Sequence, residues 1–412
     1  MQKVSIMFEG MADYIVRQEY TNKVEPFIGK SLIKVFTGQR RVGKSFVMHQ
    51  IADEIVKRVP STNIIYIDKE QLKFIDIRDA ESLYEYVVRN VDNSAPNCLF
   101  VDEVQEIENF HVALRSLLNE GLCDIYCTGS NAKMLSGELA TMLAGRYVEL
   151  HVHALSYEEF LMFNNIGDSD DALRMYLTLG SMPYIHNLPN KESVVFEYLR
   201  NVYSSILLKD VVSRESIRNI HFLENLVTFL SDNLGSITSA NNISRYLKSQ
   251  RIKLPTQSVL NYIRALGNAF FIYKIQRADT TGLKIFEVGD KYYFEDWGIR
   301  NAIHRFNMLT DIGKLMENVV CIELLRRGYI VYVGKSGTKE VDFVCEKDGN
   351  RMYVQVAYTL GDSGIIDREF GPLIDIRDNY PKYVVTMDGI SLGDRQGVKH
   401  VLLRQFLRDR SL

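Results

Sequence analysis

The residues Gly38-Gln39-Arg40-Arg41-Val42-Gly43-Lys44-Ser45 fit the pattern G-x-x-x-x-G-K-[ST] without a mismatch. Residue types at this spacing bind phosphate. The two glycines let the backbone curl until its N–H groups point inward at phosphate oxygens. Lys44 then reaches the β- and γ-phosphates, and the Ser45 hydroxyl holds Mg²⁺. The first turn of the following helix adds its positive dipole end. Further along, Cys98-Leu99-Phe100-Val101-Asp102-Glu103 is an apolar strand ending in two carboxylates. Asp102 is placed to hold Mg²⁺ through a water, and Glu103 to polarise a water attacking the terminal phosphate.

Two further polar elements border this chemistry. The next apolar strand ends in Thr128-Gly129-Ser130-Asn131. Ser130 or Asn131 would sit beside the acidic strand and orient water or sense the γ-phosphate; equally, they cap the helix that follows, since Ser and Asn favour that position. Gly145-Arg146 closes the helix expected over Leu135–Ala144. Arg146 is either an arginine that stabilises transferred phosphate or a cation at a helix C-terminus, where the dipole favours it.

These residues need a parallel sheet to hold them. Strands are expected over Leu32–Thr37, Asn63–Asp68, Cys98–Asp102, Asp124–Gly129 and Tyr147–Val152. Helical stripes fall between them: Val47, Ile51 and Ile55 in one, Leu83, Val87 and Val88 in another. Strands alternating with helices imply crossovers and a sheet covered on both faces. From Ser156 to about Leu230 the pattern is almost wholly helical, as in Phe196–Val211. A last segment opens with a helix over Lys314–Arg327, followed by strands over Ile330–Val333, Glu340–Cys345 and Met352–Ala357.

Length and composition agree with several soluble domains. The chain has 412 residues with a net charge of −3, which gives no whole-chain signal for nucleic acid or anionic membrane. No apolar run is long enough to span a bilayer, and the first residues lack the order of a signal peptide. The five cysteines, Cys98, Cys123, Cys127, Cys321 and Cys345, have no paired C-x-x-C spacing and read as buried thiols. A reducing, cytoplasmic location is expected.

Read together, TGQRRVGKS, FVDEVQ, TGSNAKMLSGELATMLAGR with LSYEEF, YSSILLKDVVSR, EVDFV and QVAY resemble the bacterial and archaeal AAA-type P-loop ATPases with a long C-terminal region. The resemblance implies ATP and Mg²⁺ as ligands and an α/β fold. Its core would be a five-stranded parallel sheet with a central P-loop strand, followed by an α-helical lid, a winged-helix module and a small α/β nuclease-like module. The domains would span residues 1–155, 156–230, 231–305 and 306–412. In such proteins an arginine before the last core strand acts across a subunit interface, which assigns Arg146 that role and implies a homo-oligomer. Arg17 and Tyr20, upstream of the first strand, are candidates to contact the base.

No Asp or Glu occurs between residues 233 and 278, where Arg245, Lys248, Arg251, Lys253, Arg264, Lys274 and Arg277 all fall. A winged helix with this charge would suit duplex DNA, although such modules also bind proteins. The tail, with Glu317 on a helix, Glu340 and Asp342 on one face of a strand and Gln355-Val356-Ala357 on the next, looks like a restriction-endonuclease fold with a PD-(D/E)XK core. Gln355 stands where that core has its second acid and Ala357 where it has its lysine, so nuclease activity is not expected unless Lys335, Lys339 or Lys347 substitutes. No membrane partner is expected.

Overall fold

The computed structural model describes residues 3–4, 14–130, 143, 145–215, 217, 219–249, 255–280, 282–285, 289–304, 307–337, 339–389 and 391–411. Asn131, Arg251, Lys253 and most of the helix expected over Leu135–Ala144 lie outside these residues. Residues 1–154 with 268–270 form one compact unit, and residues 155–267 with 271–412 form a second.

In the first unit α1 (Gln18–Val24) precedes β1 (Ile33–Thr37), α2 (Lys44–Arg58), β2 (Asn63–Asp68), α3 (Ala80–Asn90), β3 (Asn97–Asp102), α4 (Phe110–Asn119), β4 (Asp124–Gly129) and β5 (Tyr147–His151). α2, α3 and α4 form the crossovers between successive strands from β1 to β4, and the five strands are parallel in the order β2-β3-β4-β1-β5. The P-loop strand β1 is therefore fourth of five rather than central. β5 follows β4 in sequence but pairs with β1 on its far side, at the edge of the sheet.

Strand alternation divides the sheet into two chemically different faces. Val35, Leu99, Val101, Ile125 and Cys127 belong to one core with Leu83 and Val87 of α3 and Leu114 and Leu117 of α4. Val88, expected in the same stripe, turns outward and is 43% exposed, because α3 buries only one narrow face. The opposite face is aromatic. Tyr66, Phe100 and Tyr126 stack across adjacent strands with centroids 5.9 and 4.6 Å apart, and His49 of α2 lies on Tyr66 at 4.3 Å. Each such ring pair adds on the order of 1 kcal/mol beyond its buried area.

The second unit opens with α5 (Tyr157–Asn164), α6 (Asp170–Leu179) and α7 (Glu192–Ser205), which continues as a π-helix over Ile206–Ser213. Ser156 and Glu159 cap α5 reciprocally, which explains the Ser-x-x-Glu of the LSYEEF segment. Three more helices follow, α8 (Ile220–Asp232), α9 (Ala240–Ser249) and α10 (Thr256–Asn268), then β6 (Ile272–Ile275), β7 (Arg277–Asp279) and β8 (Lys291–Phe294). β6 and β8 pair antiparallel, so this stretch is three helices and a two-stranded ribbon. Arg245, Lys248, Arg264 and Lys274 are exposed on it.

After α11 (Trp297–Ile303) come α12 (Met308–Arg326), β9 (Ile330–Ser336), β10 (Lys339–Lys347), β11 (Asn350–Val356), α13 (Ser363–Ile374), β12 (Lys382–Thr386), β13 (Asp394–Arg395), β14 (Val398–Leu402) and α14 (Leu403–Arg408). They build a seven-stranded mixed sheet in the order β13-β14-β12-β11-β10-β9-β7. Its core gathers Val341, Val344, Tyr353, Phe370, Leu373, Val384 and Val398. All five cysteines are buried free thiols. Among the described residues no helix is long and apolar enough to cross a membrane.

Candidate nucleotide site

The C-terminal end of β1 and the start of α2 leave residues 38–43 as a tight loop. Gly38 has φ +142°, and a Cβ there would lie 2.2 Å from the Val152 carbonyl oxygen, so only glycine fits. Gly43 has φ +96° and Arg41 φ +72°, which turns successive peptide groups inward before α2 begins. Lys44 is buried, and its ammonium donates to the carbonyls of Gly38 and Gln39, each at 3.0 Å. It thus lies across the loop, at the helix N-terminus where phosphate binds. Arg40 reaches Glu70 at 3.6 Å. The Gln39 side chain is fully buried, and neither amide atom has a hydrogen-bond partner.

Behind the loop, adjacent strands deliver a connected set of oxygens. Ser45 and Thr128 both hydrogen bond to the buried Asp102 carboxylate. The Thr128 hydroxyl also accepts the Glu103 N–H at 2.8 Å. Burial pushes Asp102 up to about 6; the Ser45 and Thr128 hydrogen bonds oppose the rise, and Glu103 and Asp68 add to it. An oxygen-only donor set around a carboxylate disfavoured by burial suits a hard divalent cation, so Ser45 and Asp102 fit Mg²⁺.

Glu103 adopts φ +53° in the left-handed region, a conformation rare outside glycine and concentrated at functional turns. Its carboxylate accepts from the Gln105 amide and from the Ser130 hydroxyl at 3.3 Å. The structure therefore brings Lys44, Ser45, Asp102, Glu103 and Ser130 to one end of the sheet. Arg146 lies at the other end. Its carbonyl accepts the Ile33 N–H at 3.0 Å, and its exposed guanidinium donates to Asn119. The length of a five-residue strand, about 16 Å, separates it from the loop of its own chain.

Sequence reasoning missed two supports of this site. Thr128 was visible only as part of a polar strand end; the β3–β4 register, with Val101 opposite Cys127, brings it beside Asp102. Arg17 and Tyr20 are buried scaffold rather than groups open to a base. The Arg17 guanidinium donates to the Val42 and His153 carbonyls, both at 3.0 Å, and to Ala154 at 3.3 Å, while its backbone exchanges hydrogen bonds with Gln50 of α2. The Tyr20 hydroxyl accepts the His153 N–H at 3.0 Å.

A parallel sheet with this loop, this lysine and this acidic strand end defines a P-loop ATPase core of the AAA type. Residues 30–161 match the family described as AAA domain, and residues 170–310 match a domain of unknown function. An uncharacterized protein of Haemophilus influenzae is 34% identical over 381 residues, covering 90% of this chain and 93% of its own length. An uncharacterized protein of Methanocaldococcus jannaschii is 30% identical over 346 residues, covering 80% and 76% respectively. The chain belongs to the family that these two uncharacterized proteins represent, and its own residues 30–161 carry the AAA domain. A Walker-type ATPase of Pyrococcus abyssi is similar in structure, with a TM-score of 0.49 at 14% identity, covering 71% of this chain and 96% of that one. Membership of a P-loop ATPase family implies nucleotide binding with a divalent metal.

Proposed function

We propose that this protein hydrolyses ATP with Mg²⁺ and uses the cycle to change the posture of its C-terminal region. The observation that carries the reading is the chain of hydrogen bonds from Ser45 through Asp102 and Thr128 to Glu103, set directly behind the phosphate loop. Lys44 exchanges the Gly38 and Gln39 carbonyls for the β- and γ-phosphates, gaining a charge-assisted contact. Ser45 and Asp102 hold Mg²⁺, which neutralises charge on the same phosphates. Glu103 takes up the proton side of an attacking water, and Ser130 orients its carboxylate. Arg146, too far from its own loop, serves the loop of a second copy in a homo-oligomer.

The acid-free stretch around α9, α10 and β6 serves as a winged helix whose exposed cations suit duplex DNA or an acidic protein partner. A second reading, a nucleotide-gated switch with little turnover, is favoured by one observation. The Glu103 carboxylate is already held by Gln105 and Ser130, and has to be released before it can act on water. Mg²⁺-dependent ATP hydrolysis measured across a protein concentration series, with and without duplex DNA, tests these readings. Activity per subunit that rises with concentration supports Arg146 in trans, and a further rise with DNA supports the basic stretch as sensor. Clear ATP binding with a flat, near-zero rate sinks the hydrolytic reading and leaves the switch.

A further inference from the structure

The three acids that the tail shares with metal-dependent nucleases converge on a lysine from outside that tail motif. Lys291 opens β8 and is almost wholly buried. Its ammonium lies 2.7 Å from Glu317 Oε1 on α12, and 2.8 Å from Glu340 Oε1 and 3.4 Å from Asp342 Oδ1, both on β10. An ammonium has three protons, and here it has three carboxylate acceptors. Tyr293, on the same face of β8, donates to the same Glu317 oxygen at 2.5 Å.

The remaining ligand positions are turned inward. Asp342 Oδ2 accepts the Val356 N–H at 2.9 Å. Gln355, at the place of the second acid, accepts the Asp342 N–H at 3.1 Å and donates to Glu369 at 3.0 Å. Ala357 offers no side-chain donor. Lys339 pairs with Asp375, and Lys347 donates to the Arg327 carbonyl. The cation is instead Lys291, whose side chain is almost wholly buried and paired with all three acids. In the nuclease core the lysine stands beside the metal, whereas the Lys291 ammonium pairs with all three acids at once, so a divalent ion would have to displace it from between them. The residues present therefore do not fit a catalytic metal.

We propose that Lys291 is the resident cation of this cluster: its ammonium takes the place of the divalent ion, so the tail folds without metal and does not cleave phosphodiesters. The same contacts tie the β6–β8 ribbon to α12 and β10. The retained acids therefore serve to dock the ribbon on the seven-stranded sheet.

The test titrates Mn²⁺ into nucleotide-free full-length protein and reads the free ion by electron paramagnetic resonance. Wild type and Glu340→Gln are expected to bind Mn²⁺ alike. Lys291→Gln is expected to gain one site per chain, lost again in Lys291→Gln with Asp342→Asn. If Lys291→Gln does not fold, the comparison of wild type with Glu340→Gln still decides. A wild-type site weakened roughly tenfold or more by Glu340→Gln would overturn the proposal. So would a folded Lys291→Gln that gains no site, or Mn²⁺-dependent nicking of plasmid DNA by wild type that Asp342→Ala abolishes.

Discussion

The Thr128 hydroxyl at the end of β4 donates to the Asp102 carboxylate at the end of β3. A neighbouring strand thereby aims the carboxylate that would hold the metal, and the same oxygen fixes the Glu103 N–H that follows. Removing the hydroxyl leaves both acids in place but unguided. Thr128→Val is expected to lower kcat for ATP roughly tenfold while ATP affinity changes little, and Thr128→Ser to restore most of the rate. Steady-state kinetics of the three proteins checks this. Equal kcat in Thr128→Val would mean the tie is merely structural.

Arg17 holds the phosphate loop from behind. Its guanidinium joins the Val42 carbonyl of the loop to the His153 and Ala154 carbonyls. Arg17→Ala removes these three buried hydrogen bonds, and about 2–4 kcal/mol of stability should be lost. Arg17→Lys should rescue little, since an ammonium lacks the planar fork that reaches separate carbonyls. Thermal unfolding followed with and without ATP reads both the loss and any weakened nucleotide response.

His49 predicts an acid-sensitive core. Burial pushes it down from 6.5 to about 4, against a smaller opposing pull from Asp68. The unfolded chain therefore takes the proton first. Above pH 6.5 neither state is protonated and His49 contributes no pH dependence. As pH falls from 6.5 to about 4 stability is lost, and below that the loss levels off. A shift of this size corresponds to on the order of 3 kcal/mol. His49→Phe, which keeps a ring against Tyr66, should flatten the fall of Tm over this window relative to wild type. An unchanged slope would contradict the assignment.

What was legible in the sequence was local. The phosphate loop needs eight consecutive residues, and the strand that carries Asp102 and Glu103 needs six, so spacing alone located both. The five core strands were visible because apolar runs alternate with amphipathic helices. The position of β1 was not legible, because strand order depends on which side of β4 each crossover returns. Arg17 and Thr128 act through register and through contacts distant in sequence, which no short motif encodes. Lys291 is the clearest case. No motif singles it out in the sequence, yet folding brings it from the start of β8 to acids on α12 and β10.

The central claim rests on Glu103 as the residue that acts on water. The most direct measurement is phosphate release from Mg²⁺-ATP by wild type and by Glu103→Gln, paired with nucleotide binding by both. The account predicts steady turnover by wild type, a loss of roughly a hundredfold or more in the variant, and ATP binding within about threefold of wild type. Equal rates in the two proteins, or wild-type protein that binds ATP and releases no phosphate, would contradict it.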